Sequence, residues 1–517
     1  MPLPYRPEPL TDFTRAENRV LMADALDNVA SRLGARYPLL IDGERVETAE
    51  WFPSLNPSRP AEIVGYAAHG TAQHVDRAMD TALAAFETWS KTPHAARGRL
   101  LLRAAGLMRR RKFELAAWET YEAGKSWAEA DGDVAEAIDF LEYYGRQALA
   151  LETPEPLTQM TGEDNQYAYR PLGVGLVIPP WNFPLAIPTG MVSAAIAAGN
   201  SVIFKPAEQT PVIAHQLAAI LCDAGLPDGV LTLLTGYPEV VGEPLVVHPQ
   251  TRFISFTGSR AVGLRINRLA AETAPGQIWI KRVVAEMGGK DAIVVDASAD
   301  VAAAAAGIVA SAFGFQGQKC SACSRAIVVE DVYDAVLAAV KTGAEALTLG
   351  DVRDYENVVG PVIDRDAYES IGSYIAIGED EGRRVLGGAP QGDGSDGYFI
   401  APTIFADVAA DARIAQEEIF GPVLAVIRAR DFDHALEIAN GTVYGLTGAV
   451  YARDRAKLEQ ARREFHVGNL YLNRKCTGAI VGVQPFGGFN LSGTDSKAGG
   501  PDYVRQFMQP QSIAEAL

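Results

Sequence analysis

Apolar positions along this chain follow two rhythms. Near the N-terminus they recur at helical spacing, with Leu21, Ala25, Val29 and Leu33 marking one face of a helical arm over residues 11–36. Ile41-Asp42-Gly43-Glu44-Arg45-Val46 then reads as a hairpin closed on an Asp-Gly turn. A long helical region follows over about 74–150, with breaks near Pro93 and Gly124. From Gly173 the rhythm changes to short apolar runs separated by helices: GVGLVIPP, NSVIFKP, VLTLLTG and RFISFTGS. A second set runs from Asp291 to about Val450: DAIVVD, RAIVVE, FIAPTIFAD, PVLAVIRA and LTGAVYA. Short apolar strands alternating with helices predict parallel sheets, so two α/β units stand in series. Gln166-Tyr167-Ala168-Tyr169-Arg170 alternates as an edge strand, and an exposed edge invites pairing with another subunit. GGAPQGDGSDGY (387–398) reads as a surface loop.

Composition narrows the function classes. A length of 517 residues exceeds one ordinary core and implies two or three structural units. The formal net charge of −18 argues against a nucleic-acid partner, and no basic block offsets it. Arg109, Arg110, Arg111 and Lys112 read as the wet face of a helix. Four cysteines do not make a disulfide framework, which fits a reducing, cytoplasmic setting. The opening MPLPYRPEPL carries prolines and an acid where a signal peptide needs a basic and then an apolar run. The apolar stretch 174–204 is broken by Pro179, Pro180, Pro184, Pro188 and Gly190, so it reads as a buried core and no membrane span is expected.

Chemistry concentrates in FGFQGQKCSACSR (313–325), which puts Cys320 in a polar loop between an alanine-rich helix and a β-branched strand. A thiol so placed is held rigidly yet stays reachable. Upstream, Glu286 is followed by Met287-Gly288-Gly289-Lys290, and cysteine plus carboxylate suggests covalent catalysis followed by hydrolysis. Pro180-Trp181-Asn182-Phe183-Pro184 fixes an amide that can donate into an oxyanion hole, an effect of about 3–4 kcal/mol. The alternative is a turn whose Asn satisfies its own backbone. At Gly258-Ser259 a strand-to-helix turn offers backbone approach to a phosphate; the alternative is an ordinary strand-to-helix turn. Lys205 and Glu208, at a strand end, suit the two hydroxyls of a ribose; singly, Lys205 reads as a surface lysine. Gly173-Val174-Gly175 lacks the third glycine of a dinucleotide fingerprint. Cys320-Ser321-Ala322-Cys323 spells C-x-x-C, but zinc needs a second ligand pair and only the isolated Cys222 and Cys476 remain, so no metal site is expected. A thioredoxin-like role would need the motif at a helix start after a strand, whereas here a strand follows it.

Together these pieces resemble the aldehyde dehydrogenase superfamily over nearly the whole chain. PWNFP, KPAE, FTGS, EMGGK, GQKC, EEIFGPV and PFGG occur in the family's order. The resemblance implies an aldehyde dehydrogenase-like α/β fold of two doubly wound parallel-sheet domains and a small β oligomerisation unit. It implies a NAD-binding domain over 1–151 and 171–287, a catalytic domain over 288–484, and an oligomerisation unit from 152–170 and 485–517. Cys320 would attack the aldehyde, and Asn182 with the Cys320 N–H would hold the oxyanion. Hydride transfer to NAD would leave a thioester, which Glu286 hydrolyses by activating water. Lys205 and Glu208 would bind the adenosine ribose, Gly258 and Ser259 the pyrophosphate, and Glu418 and Phe420 the nicotinamide end. Glu208 favours NAD, with NADP tolerated if its side chain swings away. A homodimer or larger homo-oligomer is the family's expectation.

KCSACSR, TGAIVGVQPFGGFNLSGTDSKAGGP (477–501) and the arm PYRPEPLTDFTRAENR look like the 1-pyrroline-5-carboxylate dehydrogenases. By that resemblance Ser321, Gly478 and Ala479 clamp the substrate's α-carboxylate, Phe183 and Phe486 wall its short chain, and Glu136 lies nearby. Backbone N–H groups in a Gly-containing turn suit an anion, and a hydroxyl adds a donor. The implied reaction is oxidation of L-glutamate 5-semialdehyde to L-glutamate in proline catabolism. Length leaves no room for a flavin domain, so a separate proline dehydrogenase is the implied transient partner. Oxidation of another aldehyde such as succinate semialdehyde would call for a basic residue that the Gly478-Ala479 turn does not offer. A non-catalytic member would be expected to lack Cys320 or Glu286. Cys323 and Cys476 depart from the group's usual pattern.

Overall fold

The computed structural model describes residues 4–153, 155–390 and 392–517. Two seven-stranded sheets carry the molecule. Across the first, the order is Arg282–Glu286, Thr251–Thr257, Val174–Ile178, Ser201–Phe204 and Leu231–Leu233, all parallel, then Leu39–Ile41 and Glu44–Val46 added antiparallel. Across the second it is Arg383–Leu386 (antiparallel), then Thr403–Ala406, Val423–Ala429, Cys323–Val329, Asp291–Val295, Thr447–Tyr451 and Asn469–Leu472, all parallel. Helices on both faces bury the central strands, such as Ser201–Phe204, Asp291–Val295 and Thr447–Tyr451, which is why these read as continuous apolar runs rather than alternating ones. The Asp-Gly hairpin forms as expected, with Asp42 and Gly43 both left-handed (φ 58° and 72°). The long helical region divides into Ala72–Trp89, His94–Arg110, Lys112–Ala123 and Trp127–Ala150, with Gly124 closing the third in a left-handed cap (φ 66°).

Several expectations need correction. The N-terminal helix is Ala16–Ala30, shorter than residues 11–36, and its buried face is Met22, Leu26 and Val29. Leu21 is 49% exposed, because the helix lies on Lys112–Ala123 one residue further round than the apolar spacing suggested. Lys112 is not on a wet face. It opens a new helix, is buried, and pairs with Asp131 at 2.9 Å. The three-stranded sheet of Ala35–Tyr37, Arg59–Ala68 and Trp51–Asn56 was not foreseen, nor was the strand Arg282–Glu286. The loop before Cys320 is polar in composition but buried. The Gln316 amide donates to Pro361 O at 2.7 Å, and Gln318 Oε1 accepts from Ile363 N at 2.9 Å. Within 387–398, Gly394, Gly397 and Tyr398 are buried, and Gln391 lies outside the described residues.

Glu163–Pro171 pairs antiparallel with Met508–Ala516 as a separate two-stranded sheet. The segment 485–500, grouped with this tail on sequence, instead threads back into the middle of the molecule, where Gly488 and Ser496 touch Glu286. Among the described residues no helix is long and apolar enough to cross a membrane.

Candidate active site

In the first sheet the chain adds strands on one side of Val174–Ile178 and then returns to its other side with Thr251–Thr257. A crevice opens where the winding reverses, at the carboxyl ends of the strands, and ligands of open α/β sheets bind there. Four neighbouring strand ends deliver the predicted residues. Glu286 ends Arg282–Glu286, Gly258 and Ser259 follow Thr251–Thr257, Asn182 follows Val174–Ile178, and Lys205 follows Ser201–Phe204. Only Met287-Gly288-Gly289-Lys290 separates Glu286 from the first strand of the second sheet. The carboxyl end of one sheet therefore abuts the amino end of the other, and Cys320 and Glu418 precede two strands at that amino end.

Glycines make the junction possible. A Cβ at Gly288 would lie 2.0 Å from Glu418 Oε2, and one at Gly289 would lie 2.4 Å from Cys320 O. The Gly289 N–H donates to Glu418 Oε1 at 3.0 Å. Phe420 adopts φ 57° and meets Trp181 edge-on with ring centroids 5.5 Å apart, joining the loop after Glu418 to the loop of Asn182.

Asn182 is buried, and its amide donates to Gln318 O at 3.0 Å, fixing it against the cysteine loop. The Cys320 N–H has no partner among the described residues. Cys320 itself is half-buried. Burial pushes its thiol well above the ordinary range, and the carboxylates of Asp291, Glu418, Glu286 and Glu136 push the same way. Glu286 is buried, accepting from Ser496 Oγ at 2.8 Å and from the Gly488 N–H at 3.1 Å. Burial raises its carboxyl to about 8, against the lowering effect of those two donors. A carboxyl poised near neutrality is the state a general base needs.

The other predicted residues fall into two groups. Lys205 is buried and ion-paired to Glu208, so it is no ordinary surface lysine. Ser259 caps the helix Arg260–Ala271, accepting from Val262 N at 3.4 Å, and Gly258 N donates to Glu286 O at 3.1 Å. The exposed Val240 and Val262 leave apolar surface on the elements around this crevice. A Lys–Glu ion pair, a capped helix start and apolar walls at one switch point fit a dinucleotide. The second group lies on the cysteine side. The Ser321 carbonyl accepts from Cys476 Sγ at 3.4 Å, which ties the 476–479 turn to the residue after Cys320. Ser321 Oγ and the backbone N–H groups of Gly478 and Ala479 have no partner among the described residues, and Gly478 is left-handed (φ 76°). Phe183 faces Phe315 at 6.5 Å and receives Lys125 Nζ on its ring at 4.3 Å. Phe486 precedes Gly487, whose Cβ would lie 2.9 Å from Glu286 Oε1. Glu136 is half-buried, and burial raises it to about 8.

Ser496, Lys319 and Glu129 were not singled out from the sequence. Lys319 Nζ bonds both Glu129 oxygens at 2.8 and 2.7 Å and ties the cysteine loop to the helix Trp127–Ala150. Adjacency to Cys320 was the only signal for Lys319, and Glu129 had none. Among the described residues no cluster of His, Cys, Asp or Glu suits a metal ion.

The aldehyde dehydrogenase family model matches residues 45–513. This chain belongs to the aldehyde dehydrogenase family. Among its relatives in that family is the 1-pyrroline-5-carboxylate dehydrogenase of Geobacillus thermodenitrificans, 59% identical over 512 residues and 99% of each chain. The Bacillus subtilis protein of the same name is 53% identical over 517 residues and the full length of both. Of solved structures, 1-pyrroline-5-carboxylate dehydrogenase from Thermus with bound NAD superposes with a TM-score of 0.97 at 53% identity, covering 99% of both chains. Proline utilization A from Bdellovibrio bacteriovorus matches at 44% identity and a TM-score of 0.98, covering all of this chain and 54% of the other.

Proposed function

We propose that this aldehyde dehydrogenase oxidises L-glutamate 5-semialdehyde, formed by hydrolysis of 1-pyrroline-5-carboxylate, to L-glutamate with NAD. The observation that carries the substrate is the set of free donors beside Cys320: Ser321 Oγ and the N–H groups of Gly478 and Ala479. Three unpartnered donors on two loops joined by the Cys476–Ser321 contact, with no lysine or arginine needed, suit a carboxylate. The names of the full-length relatives agree. NAD suits the crevice because Glu208, already bound to Lys205, repels a 2′-phosphate. NADP is accommodated if Glu208 turns away.

In the mechanism we infer, Cys320 Sγ bonds to the aldehyde carbon while Asn182 Nδ2–H and the Cys320 N–H hold the resulting oxyanion. Glu418 and Phe420 orient the nicotinamide end, Lys205 and Glu208 the adenosine ribose, and Gly258 and Ser259 the pyrophosphate. When bound, NAD supplies the hydride acceptor. Water then attacks the acyl carbon, Glu286 takes that water's proton, and the C–S bond breaks to release L-glutamate and return Cys320 as thiolate. Phe183 and Phe486 line the aliphatic chain, and Glu136 stands nearby. Residues 1–151 and 171–287 form the dinucleotide domain and 288–484 the catalytic domain in this reading. Oligomerisation uses 152–170 with the tail, giving a homodimer or larger assembly. The likeness to proline utilization A supports a separate proline dehydrogenase as a transient contact.

Steady-state rates with 1-pyrroline-5-carboxylate, acetaldehyde and betaine aldehyde test the assignment. Expected is at least a hundredfold higher kcat/KM for the first; comparable values overturn it. Cys320→Ser should abolish turnover. Glu286→Gln should give one enzyme equivalent of NADH in a burst and then stall, and steady turnover by that variant would refute the base.

A further inference from the structure

The N-terminal arm has no part in the chemistry above, yet it reaches the carboxylate-binding turn. Tyr5 Oη donates to Val481 O at 2.8 Å and also faces the Asp139 carboxylate. Its ring stands edge-on to Tyr143 with centroids 5.2 Å apart. Gly482 sits against both rings: a Cβ there would lie 2.9 Å from Tyr5 and 2.9 Å from Tyr143. Gly482 is also left-handed (φ 73°), so this close approach is available only to glycine. Tyr143 lies two turns from Glu136 on one face of Trp127–Ala150, so that helix faces both the substrate region and the turn.

Three further attachments hold the arm, two on that helix and one on Lys112–Ala123. Glu8 N donates to Asp139 Oδ1 at 2.7 Å, Thr11 N donates to Asp131 Oδ2 at 2.8 Å, and Lys112 Nζ donates to Pro9 O at 3.0 Å. The turn itself is pinned at its start by Arg474, which donates to Gly478 O at 2.9 Å. Near its end, Val483 N and Gln484 N donate to Ile480 O at 3.0 and 2.9 Å. Tyr5 supplies the side-chain anchor at Val481, three residues beyond Gly478. Gly482 N also donates to Gly499 O at 2.9 Å, so Tyr5 is the tie from the arm, and without it the two free N–H groups would be less well ordered before the anion arrives.

We propose that Tyr5 is a positioning residue, a strap that holds the 477–482 turn ready to receive the substrate's carboxylate. This rests on the substrate reading above, in which Gly478 and Ala479 take that carboxylate. Tyr5 acts through the turn and does not touch the substrate.

The experiment compares wild type with Tyr5→Phe, which deletes one hydroxyl and keeps the ring against Tyr143 and Gly482. L-glutamate 5-semialdehyde and butanal, an aldehyde of similar length without the carboxylate, serve as substrates. Loss of one such hydrogen bond should raise KM for the semialdehyde about fivefold. Its kcat, the KM for NAD and all constants for butanal should stay unchanged. Equal changes on both aldehydes, or none on either, overturn the strap. If wild type itself fails to prefer the semialdehyde, the substrate reading falls first, so the two failures are distinguishable. Tyr5→Trp, which restores a ring donor of different reach, should show the same one-sided KM effect or none; a fall in kcat on both aldehydes again overturns the inference.

Discussion

Glu286 shows how much one residue depends on partners far away in sequence. Its carboxyl is raised to about 8 by burial, so near neutrality much of it is protonated and unable to act as a base. Where deacylation limits turnover, kcat should rise with pH through about 8 and level off above it, as a pH-rate profile will show. The Ser496 hydroxyl works against that rise, because a donor to the ionised carboxylate favours the ionised form. Removing it in Ser496→Ala should lift the pKa and move the limb to higher pH. A hydrogen bond of about 1 kcal/mol corresponds to about 0.7 of a pH unit. An unmoved or lowered limb would remove Ser496 from the account. Glu286 was legible in the sequence because its Gly-Gly neighbours and the downstream cysteine form local patterns. Ser496 was not, because no periodicity connects it to Glu286.

At the scale of elements, the site depends on how one strand hands over to the next. Gly288 and Gly289 let the chain pass between Glu418 and the carbonyl of Cys320, with no space for a side chain at either position. Gly289→Ala should therefore displace the cysteine loop, since its Cβ would fall 2.4 Å from Cys320 O. A misplacement of about 1 Å at a reacting group costs roughly a hundredfold in rate. The expected outcome is a fall of that size in kcat with an unchanged far-ultraviolet circular dichroism spectrum, and full activity would contradict it. The strands themselves were readable because buried parallel strands are continuous apolar runs. The three-stranded sheet near the N-terminus was missed because Trp51–Asn56 and Arg59–Ala68 are only partly buried and carry polar residues and prolines.

At the scale of the whole molecule, the pair Glu163–Pro171 and Met508–Ala516 leaves the two main sheets and forms its own ribbon. A two-stranded ribbon is at best marginally stable alone, so a partner surface is expected. If the ribbon makes the proposed homo-oligomer interface, truncation after Phe507 should lower the assembly state in analytical ultracentrifugation; an unchanged assembly would place the interface elsewhere. By itself the sequence determined what is local: the alternation of strands and helices, the Asp-Gly turn, the glycine-flanked carboxylate, the amide between prolines, and the motif order of an aldehyde dehydrogenase. Only the tertiary structure decided that Ser496 and Gly488 hold Glu286, that Lys319 grips Glu129, and that Tyr5 reaches Val481. The physical reason is range. Hydrophobic period and turn chemistry act over a few residues, whereas these bonds join segments brought together only when two sheets meet end to end.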